Sequence, residues 1–113
     1  MFDTDRNLGS TMQVLDAMAV RARVALHNLA NQDTPGFKRY EVRFEELLRE
    51  AEAGERVAPE VVRDTSGPEG RNNVAADDEL AILMKTRLAN EVFLRRLAGH
   101  YQRLRTAITG GGR

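Results

Sequence analysis

The sequence predicts an all-α protein in which two long amphipathic helices, one near each end of the chain, bracket a short helix and an irregular middle. Three observations support this prediction: an apolar stripe in three–four spacing before residue 30, a second such stripe after residue 79, and glycine and proline between them. Apolar residues at this spacing lie on one face of an α-helix, since the helix turns once in about 3.6 residues. A repeat close to 3.5 residues favours a coiled-coil-like arrangement.

The first long helix is expected over residues 8–32. Its apolar stripe should form an assembly seam with other helices, and it consists of Met12, Leu15, Ala19, Ala22, Leu26 and Leu29. Because Ala19 and Ala22 are small, another helix could approach closely. Ser10 and Gln13 match a capping box, which places the helix start near Ser10, although Gly9 leaves the start ambiguous.

The middle of the chain, residues 33–73, is less regular. Phe44, Leu47, Leu48 and Ala51 have the spacing of a short amphipathic helix. Glycine, proline and valine then alternate up to residue 70. That composition indicates a loop, with a short strand or a β-hairpin arm as the alternative.

The last long helix is expected over residues 74–109, followed by a flexible tail over 110–113. Acidic residues near its start and arginines near its end complement the helix dipole. Its apolar line continues the assembly seam and consists of Leu80, Leu83, Leu94, Leu97, Tyr101, Leu104 and Ile108. A second line, Ile82, Ala89 and Phe93, widens this stripe on one side. At 113 residues the whole chain should be a single domain.

The composition argues against catalysis and against several kinds of partner. Seventeen basic and 17 acidic residues give a net charge of zero, which disfavours nucleic acid or an anionic membrane as partner. Cysteine is absent, and His27 and His100 have no metal-ligand spacing. No nucleophile–base–orienter set accompanies the polar residues. We therefore expect no catalytic residue, metal, cofactor or small-molecule substrate. The N-terminus also lacks the charged and apolar regions of a cleaved secretory signal.

A rigid exit follows the first helix. Pro35 has no N–H and a fixed φ, and it disfavours helical geometry at Thr34. Gly36 can then adopt a positive φ at the third position of a type II turn. The first helix should accordingly end at Asn31 or Gln32.

This exit resembles the junction motif of the bacterial flagellar rod and axial proteins, roughly Ala-Asn-x-x-Thr-Pro-Gly-aromatic-Lys. The residues that carry the resemblance are Asn28, Asn31, Asp33, Thr34, Pro35, Gly36, Phe37 and Lys38. Asp33, together with residues 44–48, is most similar to the proximal-rod members of that family.

A second stretch resembles the family's Asn-Asn-Val-Asp-x-Asp-x-Glu-Met motif at the start of the last helix. Its matching residues are Asn72, Asn73, Val74, Asp77 and Glu79. Leu80 replaces the methionine, and Ala75 stands where an acidic residue is usual. If that residue caps the helix, the cap should move to Asn73 or Asp77.

The resemblance implies a structural subunit of the flagellar basal-body rod, which polymerises through its terminal helices and transmits torque. It implies as partners other copies of the chain, other rod subunits, the adaptor between rod and MS ring, and the flagellar export apparatus. It also implies type III export, without a cleaved signal peptide, into the rod that spans the periplasm. A two-helix hairpin of this size is marginal alone, so neighbouring subunits would supply the missing burial. The alternative is a cytosolic helical adaptor or regulator that dimerises through a coiled coil.

Overall fold

The computed structural model describes residues 2–54 and 58–110, with side chains from residue 9 onwards. Its elements in chain order are α1 (Phe2–Ala30), β1 (Tyr40–Val42), α2 (Phe44–Glu52), β2 (Val61–Arg63) and α3 (Ala76–Ile108). The all-α prediction is confirmed, since the β structure in the described residues is limited to a two-stranded sheet. Residues 111–113 of the expected tail lie outside the described residues. None of the described helices is both long and apolar enough to span a membrane.

The two long helices pack against each other as an antiparallel hairpin, because the C-terminal end of α1 lies beside the N-terminal end of α3. The apolar core lies around the middle of α1, where Val14, Ala17 and Met18 are buried together with Leu47 and Ala51 of α2. Partly buried apolar residues that pack against this cluster include Ala89 and Phe93 of α3. The core is small, and the molecule measures 65 × 23 × 13 Å along its principal axes.

Helix α1 begins at Phe2, so the capping box at Ser10 and Gln13 is wrong. Ser10 lies inside the helix, and its hydroxyl donates to the carbonyl oxygen of Ala51 at 3.1 Å. The contact with α2 thus decides the role of Ser10. At the other end, the amides of Asn31 and Gln32 donate to carbonyls three residues earlier, at 3.0 and 3.1 Å. The helix therefore closes in a tighter turn after Ala30.

The face of α1 that is buried within the protomer lies one residue away from the seam. Thr11, Val14, Met18, Ala25 and Asn28 are buried. They keep the three–four spacing of the seam, but a shift of one residue rotates the contact face by about 100°. The seam of α1 therefore lies beside the hairpin core, with Met12, Ala19 and Leu26 exposed.

The seam of α3 is also largely open. Leu83 and Leu97 are partly buried, whereas the other members of its line are exposed, namely Leu80, Leu94, Tyr101, Leu104 and Ile108. The residues that α3 buries within the protomer are Glu79, Thr86 and His100. The second apolar line, Ile82, Ala89 and Phe93, is partly buried, so this side of the helix contributes to the hairpin.

In the middle of the chain, the stretch predicted as a loop or a short strand contains the strand β2. β1 and β2 pair in antiparallel register and form a two-stranded ribbon, with Glu41 opposite Val62, and α2 lies between them in the chain. The proposed caps of α3 at Asn73 or Asp77 are wrong, because the helix is preceded by Ala75 and has no side-chain cap. The carboxamide of Asn73 bonds elsewhere, as described below, and Asp77 lies within the first turn.

Candidate functional site

The two motif stretches meet at the junction, defined here as residues 28–40 and 72–79. The side-chain amide of Asn72 donates to the carbonyls of Asn31 and Thr34 at 2.8 and 2.7 Å. Its oxygen accepts from the backbone N–H of Val74 at 2.8 Å. Asn72 therefore binds a carbonyl at the C-terminal end of α1, where backbone carbonyls lack helical partners.

Asn73 fixes the segment that leaves the turn. Its backbone N–H donates to the carbonyl of Phe37 at 3.2 Å, and its side-chain oxygen accepts from the N–H of Arg39 at 2.6 Å. Its amide nitrogen donates to the carbonyls of Asp64 and Ser66 at 2.6 and 3.2 Å. Asn73, which lies just before α3, thus binds both the segment that follows α1 and the segment that follows β2.

Asn28 binds β1 as a neighbouring strand would. It is fully buried on α1, its amide nitrogen donates to the carbonyl of Tyr40 at 2.8 Å, and its oxygen accepts from the N–H of Tyr40 at 2.9 Å. Both backbone groups of Tyr40 are thereby satisfied. A buried carboxamide is suited to this role because it offers a donor and an acceptor side by side.

The turn between the helix and the ribbon has the predicted geometry. The N–H of Phe37 donates to the carbonyl of Thr34 at 3.2 Å, and Gly36 has φ +73°. A Cβ on Gly36 would lie 3.5 Å from the carbonyl oxygen of Gly70, so space allows a side chain but the backbone angle disfavours it. Asn31 supports the turn, since its oxygen accepts from the hydroxyl of Thr34 at 3.1 Å.

A buried ion pair links the junction to α3. Nε of Arg39 lies 2.6 Å from Oε1 of Glu79, whose side chain is fully buried. The same guanidinium contacts Asp64 at 3.0 Å and Glu41 at 3.4 Å. Burial lowers the pKa of Arg39, but hydrogen bonds to Glu79 and Asp64 outweigh that effect and raise it above its ordinary value. Hydrogen bonds from Ser66, with a further contribution from Arg39, lower the pKa of the Asp64 carboxyl.

Lys38 holds the loop that returns to α3, whereas Phe37 packs against residues of α1 and β1. Nζ of Lys38 donates to the carbonyls of Ser66 and Pro68 at 3.2 and 2.9 Å. Phe37 stacks edge-on with His27 and Tyr40 at centroid distances of 5.8 and 6.2 Å. The aromatic residue and the lysine of the motif therefore both have structural contacts within the protomer.

Two motif residues lie outside this network. Asp33 and Asp77 are exposed, and neither forms an ion pair within the described part of the chain. Arg39, in contrast, is central to the network and was not among the residues selected from the sequence. A buried glutamate requires a partner, but the spacing of residues does not indicate which of 17 basic side chains supplies it.

The arrangement of these polar groups indicates a structural role. Among residues 9–54 and 58–110, no group of three or more His, Asp or Glu side chains could hold a metal ion. The polar groups of the network bind backbone atoms or one another, and through these bonds they join the C-terminal end of α1 to the N-terminal end of α3.

Two known proteins are similar to this chain, whereas no family model matches it. The flagellar basal body rod protein FlgB of Bacillus subtilis is 27% identical over 125 aligned positions, which cover 96% of this chain and 95% of that protein. The protein of the same name from Borreliella burgdorferi is 39% identical over 51 residues, which cover 45% of this chain and 38% of that protein.

Proposed function

We infer that this chain is a flagellar basal-body rod protein of the FlgB type and that it serves as a structural subunit of the rod. The nearly full-length similarity to the Bacillus subtilis protein confirms the resemblance that the two motifs indicated. Neither that similarity nor the geometry favours a cytosolic adaptor. A structural role also agrees with a junction whose polar groups bind the chain's own backbone.

The proposed mechanism of assembly rests on one observation, which is that apolar residues of the seam are exposed in the protomer. In the protomer, Leu26 is 55% exposed although it belongs to a regular apolar stripe. Tyr101, Leu104 and Ile108 of α3 are likewise exposed. An apolar side chain gains about 25 cal/mol for each Å² removed from water. We propose that subunits polymerise by burying these stripes against one another and against other rod proteins.

In this proposal the junction sets the direction of the middle segment. The turn at Pro35 and Gly36, closed by Asn72 and Asn73, fixes where the ribbon and α2 leave the hairpin. Torque could then pass through helices whose relative position is held by hydrogen bonds and by the buried Arg39–Glu79 pair. The middle segment would lie on one side of the packed helices.

The proposal also includes two further partners and a route of export. The adaptor between rod and MS ring would be a partner at one end of the rod, and the flagellar export apparatus would deliver the chain without cleavage. A small core, which leaves much of both long helices unburied, suits a protein that must be largely unfolded during export and completes its burial on assembly.

Recovery in purified hook–basal bodies tests the function. The chain carrying a short epitope tag should co-purify with them, and deletion of its gene should abolish motility, with restoration by the untagged gene. A matched control is a cytosolic protein carrying the same tag. Normal flagella in the deletion strain, or a chain found in the cytosol alone, would contradict the rod assignment.

A further inference from the structure

A second apolar surface lies on the side of α3 that faces away from α1. Its members recur every four residues, and their exposures are 50% for Leu80, 68% for Met84, 61% for Leu88 and 55% for Val92. At about 100° per residue, they surround the direction opposite to the buried Glu79 and Thr86. We refer to these four residues as the outer row. The three–four line in the sequence included only Leu80 of this set.

Opposite charges lie at the two ends of the outer row. Asp77 precedes it and Arg95 follows it, and the two are five helical turns apart at about 3.6 residues per turn, so they lie on the same side of α3 as Met84 and Leu88. Both are exposed, and neither forms an ion pair with the described residues. The outer row is therefore an apolar strip, about 18 Å long at about 1.5 Å per residue, with an acidic and a basic end.

We propose that the outer row binds a second copy of this chain, with the two α3 helices antiparallel. A two-fold axis at the level of Thr86 places Met84 against Leu88 of the second copy, and Asp77 against Arg95. The interface is then self-complementary in shape and in charge, as a two-fold interface requires. Leu80 and Val92 extend the apolar contact on its two flanks.

Charge selects this orientation over the parallel one. Parallel helices would place Asp77 beside Asp77 of the second copy and Arg95 beside Arg95, and like charges at an interface are unfavourable. Near the axis, Arg87 is neutralised in part by Glu91, whose carboxylate lies 3.8 Å away. Lys85 can extend its ammonium group into water from a flexible stem.

The expected dimer is weak. Four half-exposed side chains on each copy form a smaller surface than the roughly 1,200 Å² or more buried in stable complexes. The dimer uses a different face from Leu26 and requires no other rod protein, so it stands independently of the proposed rod function.

Charge reversal tests the pairing in sedimentation equilibrium of the purified chain. Asp77→Arg and Arg95→Asp should each weaken dimerisation about tenfold, because two symmetric attractions become repulsions. The doubly substituted chain should regain the original affinity. Asp78→Arg is the matched control: it makes the same charge change in the same helical turn, about 100° away, and should have little effect.

Cross-linking tests the orientation, since the chain has no native cysteine. A mixture of Ala81→Cys and Glu91→Cys chains should form a mixed disulfide, because these residues lie at the same level in the antiparallel dimer. Either chain alone should form none. Disulfide formation by Ala81→Cys alone would overturn the antiparallel arrangement.

Three other results would also overturn the proposal: a monomer at all concentrations, equal effects of Asp77→Arg and Asp78→Arg, or no recovery in the double variant. A dimer that Leu26→Asp dissolves and Asp77→Arg leaves intact would show self-association through the seam of α1. That outcome would reject the outer row as a dimer interface and leave the rod function unaffected.

Discussion

Arg39 and Glu79 are joined by a buried ion pair in which Nε lies 2.6 Å from Oε1. Arg39 comes directly before β1 and Glu79 lies in the first turn of α3, so this pair holds the middle segment against the start of the second long helix. Oε2 of Glu79 is buried without a hydrogen-bond partner among the described residues. Among the described residues, the contact of Oε1 with Arg39 is therefore what compensates the burial of this carboxylate.

Neutralising Glu79 should destabilise the fold. Glu79→Gln removes the buried charge beside Arg39, whose guanidinium keeps the partly exposed Asp64 and the exposed Glu41 as partners, and the loss of a charged hydrogen bond costs about 2 kcal/mol. Urea denaturation followed by circular dichroism measures the free energy of unfolding. Glu91→Gln is the control, since it removes the exposed partner of Arg87 and should change stability by less than about 0.5 kcal/mol. Equal effects of the two substitutions would mean that the buried pair does not stabilise the junction.

The Asp64 carboxylate predicts a dependence of stability on pH. Its pKa is lowered from the ordinary value of 3.8, chiefly by hydrogen bonds from Ser66 and further by Arg39. A carboxyl whose folded pKa lies below its unfolded pKa contributes stability above the unfolded value and loses it as pH falls through the folded value.

The melting temperature of Asp64→Asn should therefore lie below that of the wild type at pH 7, and the difference should shrink as the pH falls below about 4. Asp33→Asn serves as control, because Asp33 is exposed and forms no ion pair with the described residues. A difference between wild type and Asp64→Asn that stays constant from pH 7 to pH 2 would contradict the prediction.

The turn predicts an order among substitutions of Gly36. Gly36→Val should damage assembly more than Gly36→Asn, because a β-branched residue is an outlier at φ +73° whereas Asn tolerates it. The left-handed conformation costs an ordinary residue about 1–2 kcal/mol. The ratio of secreted to basal-body-bound chain in each strain measures the effect. Assembly of Gly36→Val at the wild-type level would refute the requirement for a positive φ.

The sequence predicted the three helices and the turn, but it predicted neither β1 nor every tertiary contact. Pro35 and Gly36 act locally, so their geometry followed from residue type alone. The face that α1 buries did not, because Val14 and Met18 form a second apolar line one residue from the seam, and only the positions of α2 and α3 decide between the two. The role of Ser10 changed for the same reason: its bond to Ala51 depends on a segment 41 residues away.

The hydrogen-bond partners within the polar network could not be predicted from the sequence. Asn28, Asn72 and Asn73 were selected by resemblance, but their partners are backbone groups of distant segments, which no spacing encodes. Met84, Leu88 and Val92 were missed because they follow an i, i+4 row, whereas the seam was traced through a 3.5-residue repeat.

Substitution of Leu26 tests most directly whether the open seam mediates rod assembly. Leu26→Asp places a charge where an apolar contact between subunits is proposed, at a cost of several kcal/mol if the charge is buried unpaired. Leu26 is already half exposed, so the isolated fold should tolerate the change. Arg23→Asp, an exposed position on the same helix outside the seam, is the control. We expect Leu26→Asp to be exported yet absent from purified hook–basal bodies, and Arg23→Asp to be present in them. Equal incorporation of both variants would contradict assembly through this seam.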